Sequence, residues 1–278
     1  MQPKYIDIHS HLNFKAFDDD RDKVIKRAFD NNTWIINVGS QFSTSKRAVE
    51  IANKYKEGVF AIVGLHPIHL EESYHDDKEI GGEGFMTRVE EFDKDAYREL
   101  LKDPKVVAIG ECGLDYFHCN TDTIEKQKKT FREHVSLAQE TKKPLMLHIR
   151  NNPKDSSLNA YQDVLEILKE FTGVKGNVHF FAGTWEDAKA FLDFGFTLSF
   201  TGVITFTHDY DEVIRNIPLD MIMSETDSPY VAPVPYRGKR NEPVYVKEIV
   251  KKIAEIKNLP EAEVAKTIFA NAKRVFTF

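Results

Sequence analysis

The sequence predicts an α/β fold, a single-domain (β/α)8 TIM barrel spanning residues 1–278. Short apolar segments alternate with segments of helical spacing, as in a parallel barrel. The 278-residue length is typical of such a barrel, and 41% hydrophobic residues can form a large core. Polar residues also stand at the ends of many strand candidates, where barrel loops converge on one site. A doubly wound open sheet is the alternative, and it would place its site at a switch point instead.

The strand candidates are eight β-branched or apolar runs, of which residues 35–38 and 61–64 are nearly continuous, as expected for a parallel sheet buried on both faces. They cover residues 5–9, 33–40, 59–66, 106–110, 144–149, 177–181, 196–200 and 221–224. Helical spacing of apolar residues predicts helices over residues 21–31, 43–56, 96–102, 124–141, 160–171, 185–194, 210–216, 244–257 and 262–275.

One segment does not fit this alternation. Residues 71–93 are polar, contain a run of glycines and follow the third strand candidate. They predict a loop insertion on the active-site side of the barrel. A solvated loop without a role is the alternative interpretation.

Composition restricts the class of protein. The net charge of -6 argues against a protein that coats nucleic acid. Two cysteines, Cys112 and Cys119, are too few for a disulfide framework. No signal-peptide pattern opens the sequence, the mean hydropathy is -0.43, and no apolar run is long enough to span a bilayer. We therefore expect a cytoplasmic protein (nuclear is an option in a eukaryote), with no membrane association and no obligate protein partner.

Histidines and carboxylates at strand ends predict a metal site. His9 and His11 are two residues apart at the end of the first strand, so that extended geometry points both rings to one side. Such a pair alone is common by chance, and a single polar residue at a strand end is commonly a core histidine or a helix cap. Together, however, the residues of five strand ends supply enough ligands for two divalent cations. The predicted ligands are His9, His11, Glu111, His148, His179 and Asp227.

Two cations with mixed nitrogen and oxygen ligands favour hydrolysis, because they lower the pKa of a bound water and polarise the bond it attacks. Mg, Mn and Zn are all candidates for the metal. Glu111 is predicted to bridge the two cations, and Asp227 to take the proton of the water. Glu225, two residues before Asp227, is predicted to support a ligand, with a structural hydrogen bond as the alternative role.

Six motifs occur in order along nearly the whole chain. They are Asp7-Ile8-His9-Ser10-His11-Leu12, Gly64-Leu65-His66-Pro67, Ala108-Ile109-Gly110-Glu111-Cys112-Gly113-Leu114-Asp115-Tyr116, Pro144-Leu145-Met146-Leu147-His148-Ile149-Arg150, Val178-His179-Phe180-Phe181-Ala182-Gly183 and Glu225-Thr226-Asp227-Ser228-Pro229-Tyr230. In these motifs the sequence resembles the TatD family of metal-dependent deoxyribonucleases, within the amidohydrolase-like barrels, and the ligand set that the resemblance implies falls on the same six residues. After His179 the family commonly has Cys-Phe-Ser-Gly, which here is replaced by residues 180–183, and residues 71–93 are longer than usual.

The resemblance implies an enzyme that hydrolyses phosphodiester bonds in DNA. It implies a 3′-5′ exonuclease that binds the 3′ ends of single strands. His66, Arg150 and Arg240 are predicted to contact phosphate. Tyr230 is predicted to contact the substrate, and Tyr116 is a further candidate for stacking on bases. Alternatives are a hydrolase of a small amide, lactone or phosphoester, and a binding module without catalysis.

Overall fold

The structure is a computed structural model that describes residues 3–72, 74–75, 85–86 and 89–278. Its strands are β1 (Tyr5–Ser10), β2 (Thr33–Val38), β3 (Val59–Val63), β4 (Tyr74–His75), β5 (Phe85–Met86), β6 (Val106–Asp115), β7 (Leu145–Arg150), β8 (Gly176–Val178), β9 (Thr197–Phe200) and β10 (Ile222–Ser224). Eight of these strands form one parallel sheet, in which each strand pairs with the next sheet strand along the chain, in the order β1-β2-β3-β6-β7-β8-β9-β10.

Helices connect successive strands of this sheet, as in a (β/α)8 barrel. They are α1 (Arg21–Asp30), α2 (Phe42–Ala52), α3 (Lys94–Leu100), α4 (Ile124–Thr141), α5 (Ala160–Lys169), α6 (Trp185–Phe194), α7 (Asp211–Asn216), α8 (Val246–Lys257) and α9 (Glu261–Phe276). Among the described residues, no helix combines the length and the apolar character that crossing a membrane requires.

The first and last strands meet and close the barrel. Ser10 and Ser228 form a parallel bridge, and the His11 N–H donates to the Ser228 carbonyl at 2.8 Å. The Asp227 N–H donates to the His9 carbonyl at 2.9 Å. The predicted (β/α)8 TIM barrel is therefore confirmed, and its seam lies directly beside three of the predicted ligands.

Apolar side chains form two layers, one between the strands and the helices and one inside the barrel. The larger layer packs strand residues such as Leu147 and Leu198 against the helices. The smaller one combines Ile8 and Ile62 from the strands with Phe276 from the end of α9, and it fills the barrel interior towards the amino ends of the strands. Because that end is filled with side chains, the opposite, carboxyl-terminal end is left for a site.

Three strand ends differ from the sequence prediction by three residues or more. β6 continues five residues beyond the predicted end, so that Glu111 lies within the strand rather than after it. β3 stops before His66, and β8 stops just before His179, so both histidines begin connections. Hydrogen bonding decides these limits: β6 continues to pair with β7 as far as Asp115 and Arg150, although its polar residues suggest a loop.

The predicted loop insertion at residues 71–93 lies largely outside the described residues. Its described part includes the two short strands β4 and β5, which pair antiparallel. The backbone N–H of Glu90 donates to the His69 carbonyl at 2.9 Å, and the Glu90 carboxylate accepts from the backbone N–H of Phe42 at 2.8 Å. These bonds attach the carboxyl-terminal end of the segment to the barrel.

Candidate metal centre

The histidines of β1 and the aspartate after β10 meet at the barrel seam. The Nε2 atoms of His9 and His11 lie 3.1 Å apart. Oδ1 of Asp227 lies 3.3 Å from Nε2 of His11 and 3.8 Å from Nε2 of His9. Three ligand atoms from two ends of the chain therefore converge on one point, with the spacing that a metal ion needs.

Glu111 stands between this group and a second one. Its Oε2 lies 3.3 Å from Nε2 of His9. Its Oε1 lies 2.7 Å from Nε2 of His179 and 3.0 Å from Nδ1 of His148. One buried carboxylate thus contacts imidazoles with both of its oxygens, and the His9 and His179 rings that face these oxygens stack with their centroids 3.9 Å apart. The structure therefore brings all six predicted ligands together.

Hydrogen bonds at the far side of two rings fix which nitrogen faces the centre. Nδ1 of His11 donates to the Val38 carbonyl at 2.8 Å, which leaves a lone pair on its Nε2. Nε2 of His148 donates to Oδ2 of Asp115 at 2.9 Å, which leaves a lone pair on its Nδ1. Both lone pairs point to the cluster, as metal ligands require.

Asp115 was not predicted as a functional residue, although it ends the motif that contains Glu111. Its carboxylate is fully buried and accepts four hydrogen bonds. Two come from the backbone N–H groups of Phe117 and His118, at 2.9 and 2.7 Å. The others come from Nδ1 of His118 at 2.7 Å and from Nε2 of His148. No feature of spacing indicates this partnership, since His148 lies 33 residues away.

Glu225 lies behind His179. Its Oε1 is 3.3 Å from Nδ1 of His179, and the same atom accepts the Phe180 N–H at 2.5 Å. Its Oε2 accepts the Ser199 hydroxyl at 2.8 Å. The fully buried carboxylate is thus held in place on one side and faces the His179 ring on the other.

Charges within the cluster determine its protonation. Burial would raise the pKa of Glu111, but the neighbouring imidazoles, His179 foremost, hold it well below its usual range. Burial would lower the pKa of His179, but Glu111 and Glu225 raise it well above the usual value. Without a cation the centre therefore favours ionised carboxylates together with a protonated His179 ring, and a bound cation has to displace that proton.

Asp227 is held in an uncommon backbone conformation. Its φ angle is +55°, in the left-handed region that few residues other than glycine adopt. Its N–H is bonded to the His9 carbonyl, and its own carbonyl accepts the Tyr230 N–H at 2.9 Å. Such strain persists only where the surroundings enforce it, and here it turns the carboxylate towards His11.

His66 reaches the same cluster from the end of β3. Its Nε2 lies 3.4 Å from Oε1 of Glu111, and its Nδ1 accepts the Ile68 N–H at 3.1 Å. Burial lowers the pKa of His66 to about 4. The neutral ring, with Nδ1 as acceptor, carries its proton on Nε2 and presents a hydrogen-bond donor to the centre.

The other predicted substrate contacts fall into different places. The Arg150 guanidinium lies between the rings of Phe117 and Phe180, at 5.5 and 5.8 Å from their centroids. Tyr230 is half-buried at the seam beside Asp227. Tyr116, in contrast, is only 1% exposed and donates its hydroxyl to Asp163 at 2.7 Å, so that the expectation of base stacking by this ring was wrong.

Arg240 is not brought to the cluster. Its guanidinium donates to the Ala16 carbonyl at 2.6 Å and to Asp20 at 2.7 Å, and it packs over the Phe17 ring at 4.5 Å. The loop that carries it follows β10, as predicted, but the side chain is used to attach that loop to the segment before α1.

A closed parallel barrel with buried histidines and carboxylates at the carboxyl ends of its strands defines the class of metal-dependent hydrolases. Residues 6–277 match the model of the family described as TatD related DNase, and the chain belongs to this family.

Relatives support both statements. The chain is 38% identical over 275 residues to the uncharacterized metal-dependent hydrolase YabD of Bacillus subtilis, covering 97% of this chain and 98% of that protein. It is 30% identical over 279 residues to the uncharacterized metal-dependent hydrolase YcfH of Escherichia coli K12, covering 98% and 95%. Among solved structures, the TatD homolog YjjV of Escherichia coli K12 superimposes with a TM-score of 0.83 at 25% identity, covering 100% of each chain.

Proposed function

We propose that the cluster binds two divalent cations that share Glu111. One group of ligands lies at the seam and the other lies across the barrel: His9, His11 and Asp227 in the first, His148 and His179 in the second. The proposal is supported by the close approach of ligand atoms that have no other reason to converge, and by the lone pairs of His11 and His148 that face the centre. The mixed nitrogen and oxygen donors fit Zn or Mn well, while Mg prefers oxygen.

Bound cations would lower the pKa of a water molecule and polarise the bond that the water attacks. Asp227 is the residue that takes the proton from this water. Its side chain is 14% exposed, against 6% for Glu111, so that water reaches Asp227 more readily. Glu111 keeps the two halves of the centre together, and Glu225 holds His179 from behind.

We infer that the protein hydrolyses phosphodiester bonds of DNA and releases nucleotides from the 3′ end of a single strand. The observation that carries this proposal is the Glu111-centred cluster in a chain that belongs to a family of DNases. His66 donates from Nε2 to a phosphoryl oxygen, and Arg150 binds a phosphate through its planar guanidinium. Tyr230 lines the same opening. Arg240 is not part of this proposal, because its guanidinium is bound to Asp20.

The test is incubation of purified protein with single-stranded DNA labelled at either end, with Mg, Mn or Zn supplied. We expect stepwise shortening from the 3′ end and slower shortening of a blunt duplex. The Asp227→Asn variant should shorten DNA at least about a hundredfold more slowly. Its amide cannot accept the proton of the water, and it binds a cation more weakly than the carboxylate does. The matched control is Asp193→Asn, which changes an exposed carboxylate on α6 that pairs with Lys189.

A panel of small lactones, amides and phosphoesters, assayed with the same metal-loaded protein, tests the alternative. Turnover of one of these substrates without any shortening of DNA would overturn the nuclease and retain the hydrolase. Equal rates for the Asp227→Asn and Asp193→Asn variants would remove Asp227 from the reaction.

A further inference from the structure

Large apolar side chains are exposed at one end of the barrel. In the part of the chain that the structure describes, such side chains occur at four positions, each 46 to 48% exposed. Val89, Phe117, Phe206 and Val234 all lie in connections that leave the carboxyl end of a strand and lead to the next helix. This end also carries the candidate metal centre, and exposed apolar side chains that gather around a site mark a binding surface.

On one side of this opening, Phe117 is paired with a cation. The ring follows β6, and its backbone N–H is fixed by Asp115, the carboxylate that also holds His148. The guanidinium of Arg150 packs against the ring, and within the described residues it forms no ion pair and no hydrogen bond. An arginine with unused donors beside an exposed ring is equipped to bind an anion.

The other side repeats the arrangement. The Arg237 guanidinium lies 4.1 Å from the centroid of the exposed Phe206 ring. It donates one bond, to the Ala232 carbonyl at 3.0 Å, and has no carboxylate partner among the described residues. The connection after β9 is joined to the connection after β10 by a bond of 2.9 Å from the Val234 N–H to the Thr205 hydroxyl.

We propose that these two pairs, Phe117 with Arg150 and Phe206 with Arg237, form a rim that binds unpaired nucleotides of the substrate strand. Each ring stacks on a base, and each guanidinium binds a neighbouring phosphate. The inference rests on the proposed function and deepens it, because unstacked bases are available to the rim only in a single strand. In a chain with a net charge of -6, these two arginines supply local positive charge that would attract an anionic strand.

The experiment measures binding by fluorescence anisotropy, with metal-loaded protein and oligonucleotides whose phosphorothioate linkages resist cleavage. One chain is oligothymidine, and the other has the same length but lacks bases. We expect Phe117→Ala and Phe206→Ala each to weaken binding of oligothymidine about fivefold or more, and to leave binding of the abasic chain unchanged. Phe117→Tyr and Phe206→Tyr are matched controls that keep the ring and should keep the affinity.

Replacement of the arginines gives a different pattern. Arg150→Ala and Arg237→Ala should weaken the binding of both chains, since both carry phosphates. If Phe117→Ala and Phe206→Ala bind oligothymidine as tightly as the wild type does, and the wild type degrades DNA, the rim proposal is overturned and the nuclease proposal is retained. Wild-type protein that binds neither chain would overturn both proposals. Binding that depends on the rings, without cleavage of any DNA, would support the rim and remove the nuclease.

Discussion

At the scale of single residues, the Asp115 carboxylate meets four donors and no acceptor. Its backbone is held as well, because Gln127 accepts the Asp115 N–H at 2.8 Å and donates to the Asp115 carbonyl at 3.0 Å. An immobile carboxylate behind an imidazole selects the tautomer of that ring and its orientation. Asp115 thereby determines which nitrogen of His148 faces Glu111.

We expect Asp115→Asn to weaken binding of the cation beside His148 by about 10- to 100-fold. An amide cannot accept from all four donors, and its NH2 group favours the other tautomer of His148, with the proton on Nδ1. Metal affinity is measured by competition with a chelator, and the tautomer by NMR of the His148 nitrogens. The control is His118→Ala, which leaves the bond between Asp115 and His148 intact. Equal metal affinity in Asp115→Asn and the wild type would contradict this role.

The sequence predicted the six candidate ligands because each follows or ends an apolar strand, where a polar residue is conspicuous. The sequence did not predict Asp115, because its partner His148 lies 33 residues away and no spacing pattern connects the two residues. Among aromatic residues it selected Tyr116, whereas the neighbouring Phe117 is the exposed one. The two rings differ because the chain turns directly after β6, where the Asp115 carboxylate accepts the backbone N–H groups of Phe117 and His118. This turn leaves Phe117 at the surface and Tyr116 in the core.

At the scale of elements, β6 is the strand whose length the sequence underestimated. Its last residues pair with β7 from Cys112 opposite Leu147 to Asp115 opposite Arg150. Gly113 permits this close pairing with His148. A Cβ at position 113 would lie 2.0 Å from the His148 carbonyl oxygen, and the φ angle of Gly113 is +145°.

Replacement of Gly113 by alanine should therefore destabilise the protein by about 3 kcal/mol or more, through backbone strain and overpacking between β6 and β7. The control is Gly173→Ala, where φ is +73° but nothing lies within 4 Å of the added Cβ. That change should cost only about 1 kcal/mol, from strain alone. Urea unfolding of the metal-free proteins measures both values, and similar losses in the two variants would refute the contact between the strands.

At the scale of the whole molecule, the sequence predicted the barrel from its alternation of strands and helices, and the structure confirms it. Element limits were less accurate, because the last residues of β6 are polar and the first residues of several connections are apolar. Whether a strand continues there depends on pairing with its neighbour, which local composition does not encode.

The candidate centre joins β1, β6, β7 and the connections after β8 and β10, so that cations bound there should stabilise the entire barrel. At a free cation concentration of 100 times the dissociation constant, the stabilisation is about 2.7 kcal/mol. For a chain of this length, we expect the melting temperature to fall by about 5 °C or more when a chelator removes the metal. Calorimetry measures the shift. The Asp193→Asn variant should show the full shift, and Asp227→Asn a smaller one. A melting temperature independent of metal would contradict a bound cation.

The seam between β1 and the connection after β10 has a consequence for how the molecule matures. His9 and His11 come from one end of the sequence and Asp227 from the other, and the bonds that unite their backbones are the same bonds that close the barrel. A growing chain that ends between His179 and Asp227 carries the four candidate histidine ligands but lacks the carboxylate that completes the group at the seam. Tight capture of metal at the candidate centre would therefore mark a chain whose synthesis has passed Asp227 and whose barrel has closed.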